Sequence, residues 1–155
     1  MWLQVESQDM KFLVPLVLSL SIVTNAFCDD ALETSDFFNG CKFCINIMER
    51  DTEGLTNEEF NEATESASYI SGFIEGRRIA VYKYANLANG GKIIDDDSEI
   101  QSYEEELFGY ILPKVSPYVI AKLIVKIVES DPRILSYSKD MILALTLDTS
   151  YSAAD

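Results

Sequence analysis

The chain has 155 residues, is 48% hydrophobic, carries a formal net charge of −14 and contains no histidine. Its length and apolar content suit one packed domain and exclude a disordered chain. The charge disfavours nucleic acid and anionic membranes, both polyanions, and makes a basic protein the electrostatic complement, while the missing histidine removes the commonest general base and metal ligand.

The first element is an export signal. In "MKFLVPLVLSLSIVTNAFC" Lys11 precedes the apolar run Phe12–Val23, which is too short to span a membrane. Thr24 and Ala26 satisfy the small-residue rule, so residues 1–26 are expected to be a signal peptide, with cleavage after Cys28 as the alternative. Glu6 and Asp9 do not suit a positive leader, which makes Met10 the expected start. Residues 27–155 are then one helical domain, periplasmic or secreted, with no membrane contact after cleavage and disulfides permitted.

Four helices are predicted. The first covers Asp36–Arg50, capped by Thr34 or Ser35, with Phe37, Phe38, Cys41, Cys44, Ile45 and Met48 as its apolar stripe. The second starts with the capping box Thr56-Asn57-Glu58-Glu59 and runs to about Asn86, before Gly90-Gly91. The third begins at Ser116-Pro117 and stops at Asp131-Pro132. Its sequence "YVIAKLIVKIVE" is apolar enough to be the centre of the core. The fourth covers about Ser138–Thr149. Between the second and third lies an acidic stretch, Asp95–Glu106, read as a solvated loop with one helical turn at Tyr103–Phe108. It has the oxygens of a calcium loop but not the spacing or the glycine. The expected fold is all-α: a small bundle of four main helices with an acidic loop between the second and third.

Chemistry-bearing patterns are sparse. Cys41 and Cys44 form a C-x-x-C on a helix stripe, not at a strand end as a thioredoxin-like motif requires. With one other cysteine, Cys28, and no histidine, a zinc site lacks ligands. The acidic pairs Glu58/Glu59 and Glu62/Glu65 read as a solvated helix face. No catalytic residue, metal or cofactor is expected, and the chain is read as a non-enzyme.

Two segments carry a family resemblance. In "SASYISGFIEG", Tyr69, Gly72, Phe73 and Gly76 give Y-x-x-G-F-x-x-G within a helix. Gly72 and Gly76 share a smooth face on which another helix, or a symmetry mate, could approach closely. In "DPRILSYSKDMILALTLDTSY", Pro132, Leu135, Ile142, Leu143, Leu147 and Tyr151 fall at P-x-x-L-x6-[IL]-L-x3-L-x3-Y. Together these resemble the Rap/Tai family of exported all-helical bacterial proteins, whose characterised members include immunity proteins against type VI secretion amidase effectors.

The resemblance implies a periplasmic immunity protein, homodimeric, that occludes the groove of a basic peptidoglycan amidase. It places the inserted loop at Glu129–Ser138, with Glu129, Ser130, Asp131, Arg133 and Tyr137 as contact residues and Pro132 as a structural one. It also makes Cys41 the family's first cysteine, whose partner position is Ser66 here. The other two family cysteines fall near Ile111 and Ala153, and both are missing. Cys41 is therefore expected to be buried, either bridged to Cys44 or reduced as a core thiol, with Cys28 a further partner if it survives cleavage. The alternative function is a periplasmic chaperone-like or stress protein. Its acidic surface would turn net positive below about pH 4.

Overall fold

The computed structural model describes residues 34–49, 54–94 and 96–152. The proposed signal peptide, Met10, Cys28, Arg50 and Ala153 lie outside them. Five α-helices and one 3-10 turn follow in order, and no strand occurs among the described residues. They are α1 (Thr34–Met48), α2 (Asn57–Ala88), α3 (Asp97–Phe108), α4 (Pro117–Ser130), the turn Pro132–Ser136 and α5 (Lys139–Tyr151).

Caps explain most boundaries. Thr56 Oγ1 accepts from Glu59 N at 3.2 Å, and Glu59 Oε2 accepts from Thr56 N at 2.7 Å, closing the predicted box at the start of α2. Gly90 and Gly91 end that helix with φ of 66° and 83°, a left-handed backbone that side chains resist. Ser116 caps α4 ahead of Pro117, and Ser138 caps α5. Helix α1 begins two residues earlier than expected, because Thr34 Oγ1 donates to the Tyr137 carbonyl at 3.2 Å and ties the first turn down.

The acidic loop is the main correction. Most of it is α3, so the helices among the described residues number five rather than four. Asp96 accepts from Ser98 N at 2.8 Å, and Asp97 and Glu99 sit at the positive end of the helix dipole. Ile100, Tyr103, Glu104, Leu107 and Phe108 then recur at helical spacing and turn inward, and Gly109 ends the helix at φ 75°. Glu104 is buried, and its Oε2 accepts from the buried Leu112 N at 3.0 Å, holding the α3–α4 connector. Glu104→Ala should strand that N–H and lower stability by about 1–3 kcal/mol, whereas Glu104→Gln keeps a carbonyl acceptor and loses less. Urea midpoints of the two variants check the order.

The long helix α2 packs against α1, α3 and α4, and α5 closes on α4. Phe37, Ile70, Leu112, Ile120, Ile124, Ile142, Leu143 and Leu147 form the centre, so α4 is as buried as its sequence demands.

Candidate functional site

The residues proposed for partner contact gather at the α4–α5 junction. Helix α4 stops because Asp131 leaves helical backbone at φ −144° and Pro132 follows. The segment is not a free loop. It winds into a 3-10 turn whose Ile134 is buried, and Tyr137 N donates back to the Ile134 carbonyl at 2.9 Å. Asp131 holds the turn twice over: Oδ1 accepts from Arg133 N at 3.2 Å, and its two oxygens take Arg133 Nε and Nη2, each at 2.8 Å. The Arg133 hydrogen bonds hold the Asp131 carboxyl below its ordinary range, and Asp131 in turn raises the Arg133 guanidinium.

Glu129, Ser130, Pro132, Arg133 and Tyr137 are exposed around this anchored base. Ser130 Oγ donates to the Ile127 carbonyl at 2.7 Å and so finishes α4. The structure thus brings the named contact residues together on one short exposed segment, with Arg133 already engaged by Asp131.

The glycine-bearing stretch divides into two faces. Tyr69, Phe73 and Arg77, spaced one turn apart, form an inward stripe of α2. Tyr69 OH donates to Asp140 Oδ1, its ring lies 4.3 Å from Lys139 Nζ, and it meets the Phe37 ring edge-on at 5.6 Å. Burial first, then Asp140, pushes the Tyr69 hydroxyl far above its ordinary value. Arg77 is sandwiched 4.8 Å from both the Phe73 and Phe108 rings and donates to Tyr110 OH. Burial lowers the Arg77 guanidinium, partly offset by its neighbours Tyr110, Asp148 and Asp140. Sequence reasoning missed Arg77, although its spacing from Tyr69 and Phe73 marked the stripe.

Gly72 and Gly76 lie on the outer face, where an added Cβ meets nothing within 4 Å. The close helix approach expected there within the chain falls at Gly40 instead. A Cβ on Gly40 would overlap Ser66 Oγ and sit 2.5 Å from the Glu62 carbonyl oxygen. Ser66 is fully buried and donates to the Phe37 carbonyl at 3.2 Å. The position the resemblance assigns to a cysteine therefore holds a buried hydroxyl at the α1–α2 contact.

Cys41 and Cys44 are buried free thiols, which selects the reduced core reading over the bridge. Cys44 Sγ donates to the Ala63 carbonyl at 3.2 Å. Burial pushes the Cys44 thiol from 9.0 up to about 11 and raises Cys41 further. Neither should react with a neutral-pH alkylating reagent until the chain is unfolded. A raised acid pKa is stabilising below the unfolded value, so the Cys44 contribution should fade as pH climbs from 9.0 to about 11. Mass spectrometry after native and denatured alkylation checks the first statement. Equilibrium unfolding across that pH window, with and without Cys44→Ala, checks the second.

Among the described residues no group of three or more Cys, Asp or Glu side chains is placed to hold a metal ion, and no helix is long and apolar enough to cross a membrane. Comparison of the chain with protein-family models, curated proteins and solved structures finds no match.

Proposed function

We propose that this chain is an exported binding module of the immunity type, which blocks the active-site groove of a basic peptidoglycan amidase effector of type VI secretion without chemistry of its own. The observation that carries the reading is the anchored turn at Pro132–Ser136. A turn fixed by Ile134 and by the Asp131–Arg133 fork offers Glu129, Arg133 and Tyr137 without a large ordering cost on binding. The acidic helix α3 adds a field that attracts a basic partner and speeds encounter at low salt. The test is inhibition and co-purification with a panel of cell-wall amidases at low and high salt. Tyr137→Ala should weaken capture on the order of tenfold or more, as loss of an aromatic anchor does. Absence of capture by every amidase in the panel would sink the reading for these targets.

A homodimer belongs to the same proposal, and the outer face of α2 supports it. Glu65, Gly72, Gly76 and Lys83 are exposed along that face. An antiparallel second copy crossing midway between Gly72 and Gly76 sets Glu65 of each copy against Lys83 of the other, with the glycines at the closest approach. Gly76→Leu should leave the monomer folded yet abolish the dimer in light scattering after size exclusion. A wild-type chain that is monomeric at high concentration removes this part of the proposal and leaves the amidase part standing.

A further inference from the structure

The sequence contains the dipeptide Asn-Gly twice, at Asn39-Gly40 and at Asn89-Gly90. In this dipeptide the asparagine amide is open to attack by its own backbone, because glycine has no Cβ to shield its nitrogen or restrict its turning. Attack needs two things. The glycine nitrogen must leave its hydrogen bond, and the asparagine must rotate out of helical backbone so that this nitrogen reaches Cγ. The two settings differ in both respects. Asn39 is inside α1, where helical pairing commits the Gly40 N–H to a carbonyl one turn back. Gly40 is buried, pressed against Ser66 Oγ and the Glu62 carbonyl of α2. Rotating that peptide means parting α1 from α2. Asn89 is instead the C-cap of α2, already out of the helix at φ −92° and ψ 21°. Gly90 and Gly91 beyond it are exposed. A Cβ added to either would meet nothing within 4 Å, so the turn has room to move. Gly90 N reaches the Leu87 carbonyl at 3.3 Å and Lys92 N the Asn89 carbonyl at 3.4 Å, both beyond the usual hydrogen-bond range.

We infer that Asn89 is a site of spontaneous modification in the folded protein, and that the fold protects Asn39. Gly90 N attacks Asn89 Cγ and forms the N–C bond of a cyclic imide. The side-chain nitrogen leaves as ammonia and carries off the proton that Gly90 N gives up. Water then opens the ring. Entry at the side-chain carbonyl gives aspartate, and entry at the main-chain carbonyl gives isoaspartate. Either product sets a carboxylate at the C-terminal end of α2, against the negative pole of its dipole. Isoaspartate also lengthens the main chain by one carbon and displaces Gly91 N from the Asn86 carbonyl, which it meets at 2.7 Å. Modification therefore loosens the last turn of α2. The inference does not rest on the amidase reading.

The test ages the full folded chain in mildly alkaline buffer and, in parallel, in urea. Samples are cut with a lysine-specific protease at mildly acidic pH and read by fragmentation mass spectrometry. The peptide Tyr84–Lys92 reports Asn89, and the peptide ending at Lys42 reports Asn39. In the folded chain Asn89 should convert faster than Asn39 on the order of tenfold or more, because reaction at Asn39 waits on local opening. In urea the two rates should converge. Isoaspartate-specific carboxyl methylation of Tyr84–Lys92 should rise with age and be absent from Asn89→Gln. Amide exchange at Gly91 should quicken in the aged protein and stay slow in aged Asn89→Gln. Equal conversion of the two asparagines in the folded chain, faster conversion of Asn39, or a difference that persists unchanged in urea overturns the inference.

Discussion

Gly40→Val should cost about 3 kcal/mol of stability, the upper range for forcing extra atoms into a packed interior. The reason is local. Helix α1 crosses α2 at Gly40, and a side chain there runs into Ser66 Oγ and the Glu62 carbonyl. One of these obstacles is backbone and cannot turn aside. Gly40→Ala should also destabilise, even though alanine is worth up to about 1 kcal/mol over glycine in a helix interior. Ser66→Ala added to Gly40→Ala removes the hydroxyl but leaves the Glu62 oxygen, so rescue should be partial. Gly72→Ala and Gly76→Ala supply the opposite sign. Both glycines are helical, exposed and open, so each replacement should raise monomer stability by up to about 1 kcal/mol. Urea midpoints for the four single variants decide the matter. A Gly40→Val midpoint at the wild-type value would refute the close crossing.

The opposite behaviour of these glycines shows what one sequence can and cannot reveal. Spacing identified Gly72 and Gly76 as a smooth face, and they are one. Which helix uses a smooth face depends on how α1 lies across α2, and Gly40 carries no periodic mark of that crossing. Capping chemistry transferred much better. Thr56 with Glu59 and Ser116 with Pro117 act where their residue types placed them, because a cap is settled within four residues. Thr34 and Ser35, expected as caps, lie inside α1, and Ser138, expected as the first residue of its helix, is the cap of α5.

The expected helical turn at Tyr103–Phe108 is the second half of α3, and the first half is equally legible. Asp96 as cap, Ile100, Tyr103 and Leu107 at helical spacing, and Gly109 beyond the end are a complete helix signature. A dense run of Asp and Glu has the composition of a solvated loop, yet acids in a first turn favour a helix. The turn at Pro132–Ser136 was half legible. Asp-Pro announced the stop of α4, but the anchoring of the next residues depends on Ile134 reaching a core built by other helices. For the residues proposed to contact a partner, the sequence supplied their proximity along the chain. It did not supply the Asp131–Arg133 fork, a matter of side-chain geometry.

Arg77→Ala should lower stability by about 2–4 kcal/mol, from two desolvated cation–π contacts and the lost packing of the side-chain stem. It should also leave Tyr110, buried at 3% exposure, without the donor that its hydroxyl now accepts from. Arg77→Lys tests geometry against charge. An ammonium is a compact point charge and cannot stack its plane between Phe73 and Phe108 while also reaching Tyr110, so lysine should recover less than half of the loss. Arg77→Met fills the slot without charge and should fall between alanine and wild type. If alanine, lysine and methionine all melt with the wild type, the sandwich contributes nothing and the α2 stripe is mere surface. The expected order has a consequence for the rest of the chain. Arg77 joins α2 to the last turn of α3 and to Tyr110, and that connection sets where the connector begins. Weakening it should loosen the connector at Lys114 and Val115 before it disturbs the Pro132–Ser136 turn. Amide hydrogen exchange in Arg77→Ala should therefore rise first over residues 110–115 and leave the backbone around Ile134 protected.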